Sequence, residues 1–119
     1  MLVGERQSDL IGQTDLLRIP SLSDLTGCDI FVKCEFQNPG GSIKDRAAKQ
    51  LIEDAMERGE LKRGMTVVEG TAGNTGIGLA VVAKAYGLNM LAVMPNDQTP
   101  EKERMIRLHG GELMAVDPV

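Results

Sequence analysis

The chain has 119 residues, 42% hydrophobic and 25% charged, with a formal charge of -4, a composition that suits one soluble globular domain and excludes a disordered one. Net negative charge, 3% aromatic residues and no Trp leave neither the basic footprint nor the stacking platforms of a nucleic-acid binder. No apolar run approaches the roughly 20 residues needed to cross a bilayer. The N-terminus, with Glu5 and Asp9, lacks a charged-then-apolar leader pattern, so the expectation is a cytoplasmic protein without a membrane partner.

In chain order, Asp15 to Ile19 and Ile30 to Phe36 read as two short strands, separated by a loop with Pro20, Ser21, Ser23, Asp24 and Gly27. Cys34 alternates with Ile30, Val32 and Phe36, which makes it a small buried hydrophobe. Neither it nor Cys28 has the His or Cys neighbours of a metal site. From Ser42 the period changes. Ser42 with Asp45 resembles a capping box, and Ile43, Ala47, Leu51, Ile52, Ala55 and Met56 recur at helical spacing until Gly59, which puts Lys44 in the first turn.

Thr66 to Glu69 is a β-branched strand, and the Gly70 to Gly76 turn leads into Ile77 to Tyr86, a helix apolar nearly all round and therefore buried between layers. Asn89 to Met94 is a continuous apolar strand of the parallel type. Thr99 is an N-cap, with Pro100 first in a helix that ends at Gly110-Gly111, where His109 is expected to bond a terminal carbonyl. Glu112 to Val116 is a further strand. The order α-β-α-β-α-β from Ser42 predicts an α/β fold with a mainly parallel, doubly wound, three-layer sheet and right-handed crossovers. Three strands make half of a usual open sheet, so the chain is expected to be part of a larger protein.

Two motifs carry chemistry. In Pro39-Gly40-Gly41-Ser42-Ile43-Lys44-Asp45-Arg46 the glycines let the backbone turn sharply. A helix start disfavours the ammonium form of Lys44, and an amine must be neutral to attack a carbonyl. Arg46 pushes the same way and Asp45 against it; the plain alternative is a solvated lysine. In Glu69-Gly70-Thr71-Ala72-Gly73-Asn74-Thr75-Gly76 the Gly-Lys-Ser/Thr ending of a P-loop is missing. Gly73, Gly76 and Gly78 reverse the dinucleotide spacing. What remains is an anion-binding nest at a helix N-terminus, with Thr71, Thr75 and Asn74 as extra donors, or a purely structural turn.

Asn38 to Arg46, Gly73-Asn74-Thr75-Gly76 after a strand, Met94-Pro95, and a helix ending Leu108-His109-Gly110-Gly111-Glu112-Leu113 together resemble the N-terminal part of cysteine synthase. They thereby resemble the pyridoxal-phosphate enzymes of the tryptophan synthase β-like fold, over nearly the whole chain from Ile11-Gly12-Gln13-Thr14. The resemblance implies that Lys44 forms the imine with pyridoxal phosphate and acts as general base. It implies that Asn74 bonds the cofactor's 3-hydroxyl, and that Thr71, Ala72, Gly73 and Thr75 line the pocket for the substrate carboxylate. It implies β-replacement of O-acetylserine by sulfide to give cysteine, a homodimer, and serine acetyltransferase as a partner. Residues 1–37 would pack with a larger domain outside this chain, and 38–119 would form the small α/β domain. The chain departs from the family at Ala72, where Ser is common, and at Gln13-Thr14-Asp15, where Asn-Thr-Pro is familiar. The family's cofactor-phosphate loop lies beyond the matching part. Cystathionine β-synthase and β-eliminating lyases or dehydratases share Lys44 and Asn74, and a non-catalytic α/β binding module is the alternative outside enzymes.

Overall fold

The computed structural model describes residues 1–71 and 73–118. Two sheets form. β1 (Leu16–Arg18) and β2 (Phe31–Lys33) pair antiparallel as a ribbon, with Leu17 opposite Val32. β3 (Thr66–Gly70), β4 (Asn89–Pro95) and β5 (Glu112–Val116) form a parallel sheet in that order. The intervening helices are α3 (Asn74–Ala85) and α4 (Pro100–Leu108), and α2 (Lys44–Glu57) precedes the sheet.

Alternation along the strands decides which sheet face is covered. Val67 stands opposite Met90, Ala92 opposite Leu113 and Met94 opposite Ala115, and the buried members of this set, Met90, Ala92 and Met94, face α3 and α4. On the other face Val68 and Met114 are 59% and 51% exposed, and among the described residues no helix covers them. α3 has Ile77, Leu79, Ala80, Val81, Val82 and Ala83 all buried. It lies between the sheet and α2, which explains a sequence with no polar face.

α2 and α3 approach closely at Gly78, where a side chain would put its Cβ 3.1 Å from the Lys44 carbonyl oxygen and 3.2 Å from the Ala48 Cβ and the Asp45 Cα. This contact sets the first turn of α2 against the second turn of α3. Ile106 of α4, fully buried, closes the core from the other side.

Three local expectations are corrected. The segment between β1 and β2 is not a loop but a helix, α1 (Pro20–Thr26), with Pro at its start and Gly27 at φ 70° closing it. Its buried Ser23 hydroxyl donates to Ile19 O at 2.8 Å and accepts from Ile30 N–H at 3.0 Å, joining the helix to the ribbon. β2 stops at Lys33, and a 3-10 turn (Glu35–Gln37) follows. Cys34 is buried as expected, while Phe36 is exposed because it no longer alternates in a strand. Ser42 and Asp45 form no capping box: the Ser42 hydroxyl accepts from Lys44 N–H at 3.2 Å, and the Asp45 carboxylate turns back to accept from Gly40 N–H.

Candidate functional site

The loop before α2 is held by its flanking residues. Asp45 is fully buried and accepts from Gly40 N–H. A Cβ on Gly40 would lie 2.9 Å from the Asp45 Cγ, so glycine lets the backbone close on the carboxylate. Burial pushes the Asp45 carboxyl above the ordinary range, opposed by the Gly40 N–H and by nearby His109. Asp45 Oδ1 and His109 Nε2 are both buried without a hydrogen-bond partner among the described residues. The expected His109 bond to a terminal carbonyl is made instead by its backbone N–H, to Met105 O at 3.1 Å.

Arg46, one residue on, reaches away from Lys44. Its Nε and Nη2 each donate to Glu35 at 2.9 Å, and Nη2 donates at 3.1 Å to Gly12 O and to Thr14 Oγ1. This two-pronged geometry holds the Glu35 carboxyl at about 2, with Asn38 and Thr14 contributing further hydrogen bonds. Buried Asn38 completes the cluster: its amide donates to Glu35 and to Ser42 O, and its oxygen accepts from Gly12 N–H at 2.8 Å. The charge expected to act on Lys44 is thus spent on tying residues 12–14 and 35–38 to α2. Lys44 itself is exposed in the first turn of α2, and among the described residues it makes no ion pair and no side-chain hydrogen bond.

The second motif opens from the carboxyl end of β3, where ligands of parallel α/β sheets gather. Thr71 N–H donates to Val93 O at 3.0 Å, so the turn leaves the sheet in register. The Thr71 hydroxyl oxygen accepts from Gly73 N–H at 3.1 Å and from Gly76 N–H at 3.2 Å. It therefore caps the turn while keeping its own proton to donate. Gly73 is buried at φ 150°. Asn74 is exposed as the first residue of α3, and Thr75 is half-buried beside it. Ala72 lies outside the described residues.

One residue of this region carries no signal in the sequence. Lys102, in the first turn of α4, lies across Gly73: a Cβ there would sit 2.9 Å from its Nζ and 3.0 Å from its Cε. Its Nζ is 3.5 Å from Asn74 Oδ1. The contact joins residues 28 apart, and no local pattern announces it.

The donor set fits an anionic, aldehyde-bearing group. It offers a primary amine without an ion pair among the described residues, a hydroxyl with a proton to give, and an amide at a helix N-terminus, where negative charge is stabilised. Gly41 and Gly70 border open space, with none of the described residues within 4 Å of where a Cβ would stand.

Residues 7–119 match the family described as pyridoxal-phosphate dependent enzyme. Cysteine synthase 1 of Emericella nidulans is 54% identical over 112 residues, which are 94% of this chain and 30% of that protein. O-ureido-L-serine synthase superposes with a TM-score of 0.91 at 40% identity, covering 98% of this chain and 36% of that one. A hydrogen sulfide-producing enzyme from Fusobacterium nucleatum superposes at 0.92 with 37% identity, covering 98% and 38%. The chain thus spans about a third of the length of the proteins it matches. With 113 of its 119 residues inside the match, the chain belongs to the pyridoxal-phosphate-dependent enzyme family.

Proposed function

We propose that the protein makes L-cysteine from O-acetylserine and sulfide by β-replacement, as the cysteine synthases it resembles are named for, and that Lys44 and the Thr71 to Thr75 turn form one pocket. The observation that supports this reading is the close approach of α2 and α3 at Gly78, where the Lys44 backbone in the first turn of α2 lies against the second turn of α3, the helix that Asn74 and Thr75 begin. When bound, pyridoxal phosphate supplies the electron sink for charge at the substrate α-carbon.

The remaining roles fall to the chain's own residues. Lys44 Nζ would hold the cofactor and, once released, accept the α-proton as general base. The Asn74 amide would donate to the cofactor's 3-hydroxyl. Thr71 would donate its remaining proton to the substrate carboxylate, with Thr75 as a second hydroxyl, and Gly73 would leave room for that carboxylate to approach. Ala72 gives this pocket one hydroxyl fewer than Ser would. The resemblance also carries a cytoplasmic homodimer, with serine acetyltransferase as a partner.

Residues 1–37 are proposed to pack with a larger domain and 38–119 to form the smaller one. The support is a ribbon with its own two-stranded sheet, whose Leu16 and Phe31 are 62% and 51% exposed. Similarity to a hydrogen sulfide-producing enzyme favours a second reading, β-elimination. Purified holoenzyme given O-acetylserine with and without sulfide separates the two. Cysteine formed only when sulfide is present, and lost in Lys44→Ala, supports replacement. Pyruvate released from either O-acetylserine or cysteine, with no cysteine made, overturns it in favour of elimination.

A further inference from the structure

We propose that Lys102 is a positioning residue that fixes the orientation of the Asn74 side-chain amide, so that its NH2 group points at the cofactor's ring oxygen. The inference rests on the reading that Asn74 faces that oxygen. An ammonium group donates and never accepts, so the Asn74 atom facing Lys102 Nζ at 3.5 Å has to be the carbonyl oxygen. The amide's NH2 group is then directed to the opposite side. Without a cation at this point the amide is free to flip, because its two ends have nearly the same shape.

The surroundings support a dedicated contact. Lys102 makes no ion pair among the described residues, although Glu101 and Glu103 adjoin it in the helix. Its aliphatic stem lies directly over Gly73, in space that any side chain at that position would take. Gly73 is therefore required twice, for its backbone angle of φ 150° and for the path of the lysine. Three elements meet here: the turn after β3, the start of α3 and the start of α4.

The consequence concerns the charge state of the bound cofactor. An NH2 donor favours the ionised ring oxygen, whereas a flipped amide presents a carbonyl oxygen and favours the protonated one. Lys102→Met keeps the length and packing of the stem and removes the charge, while Lys102→Arg keeps a donor. In purified holoenzyme at fixed pH, Lys102→Met is expected to raise the short-wavelength absorption band of bound pyridoxal phosphate at the expense of the long-wavelength band. It is also expected to weaken cofactor binding by about 3- to 10-fold, and Lys102→Arg is expected to restore both. Asn74→Ala serves as the reference and should change the band ratio at least as far. If Asn74→Ala changes the ratio and Lys102→Met does not, the role of Lys102 is overturned and the reading of Asn74 stands. If neither variant changes it, both fall together.

Discussion

The loop entering α2 is held by charged side chains, with Asp45 on Gly40 and Arg46 on Glu35, Gly12 and Thr14. The turn entering α3 is held by one neutral hydroxyl, from Thr71, and by glycines through which Thr71, Lys102 and Ile106 reach the backbone. Both deliver a functional residue to a helix start, Lys44 in one and Asn74 in the other. The difference teaches that the first should respond to pH and the second should not, while the second should tolerate no added carbon at Gly73 or Gly76.

The largest effect is expected beneath the second turn. A Cβ on Gly76 would lie 3.1 Å from the Ile106 Cδ1, so this fully buried side chain is part of the turn's floor. Ile106→Ala should cost about 2–5 kcal/mol by urea unfolding, through lost burial and the cavity left behind. Next comes Gly73→Ala, which adds a strained angle to a collision with Lys102 and should cost about 1–3 kcal/mol. Gly41→Ala, at φ 85° with open space around it, should cost less, about 1 kcal/mol. If Gly41→Ala were the worse of the two, glycine would not be serving as a passage for side chains at the second turn.

Thr71→Val removes the acceptor shared by two N–H groups and should cost about 1–2 kcal/mol, while Thr71→Ser should lie near the parent. The smallest effects at neutral pH are electrostatic and belong to the first loop. Glu35, held at about 2 against an ordinary value of about 4.3, binds its proton more weakly when folded. Its contribution is intact above the ordinary value and is lost as pH falls toward 2. Asp45, raised by burial, works the other way: its contribution is full below the ordinary carboxylate range and declines as pH rises through the raised value. Urea midpoints followed with pH should therefore flatten on the acid side in Glu35→Gln and lose their decline on the higher side in Asp45→Asn. Thr71→Val should leave the shape of the profile unchanged; a changed shape would break the contrast between the two turns.

The parallel unit was legible because its signals are local and agree with one another. Thr99-Pro100 starts α4, Gly59 follows the end of α2, and the uniformly apolar α3 fits a layer buried on both sides. α1 was not legible because Ser23, read as a loop residue, gains its value from Ile30, seven residues on. Asp45 was misread for the same reason: in sequence it completes a capping pattern, but in the fold Gly40 offers it a buried N–H. Likewise Arg46 is adjacent to Lys44 in sequence, yet its guanidinium is bound to Glu35. Of the candidate site, the Lys44 and Thr71 to Thr75 motifs could be read from residue type and spacing. The Lys102 contact depends on the α3–α4 arrangement and could not.

The central claim is that the Lys44 amine and the Thr71 to Thr75 turn serve one pocket, and covalent trapping tests it most directly. Purified protein loaded with pyridoxal phosphate, reduced with borohydride and digested should carry the label on the peptide containing Lys44. The label should fall when Gly73→Ala disturbs the neighbouring turn and vanish in Lys44→Ala. A label on another lysine, or labelling of Lys44 that is indifferent to Gly73→Ala in protein that remains folded, would contradict the claim.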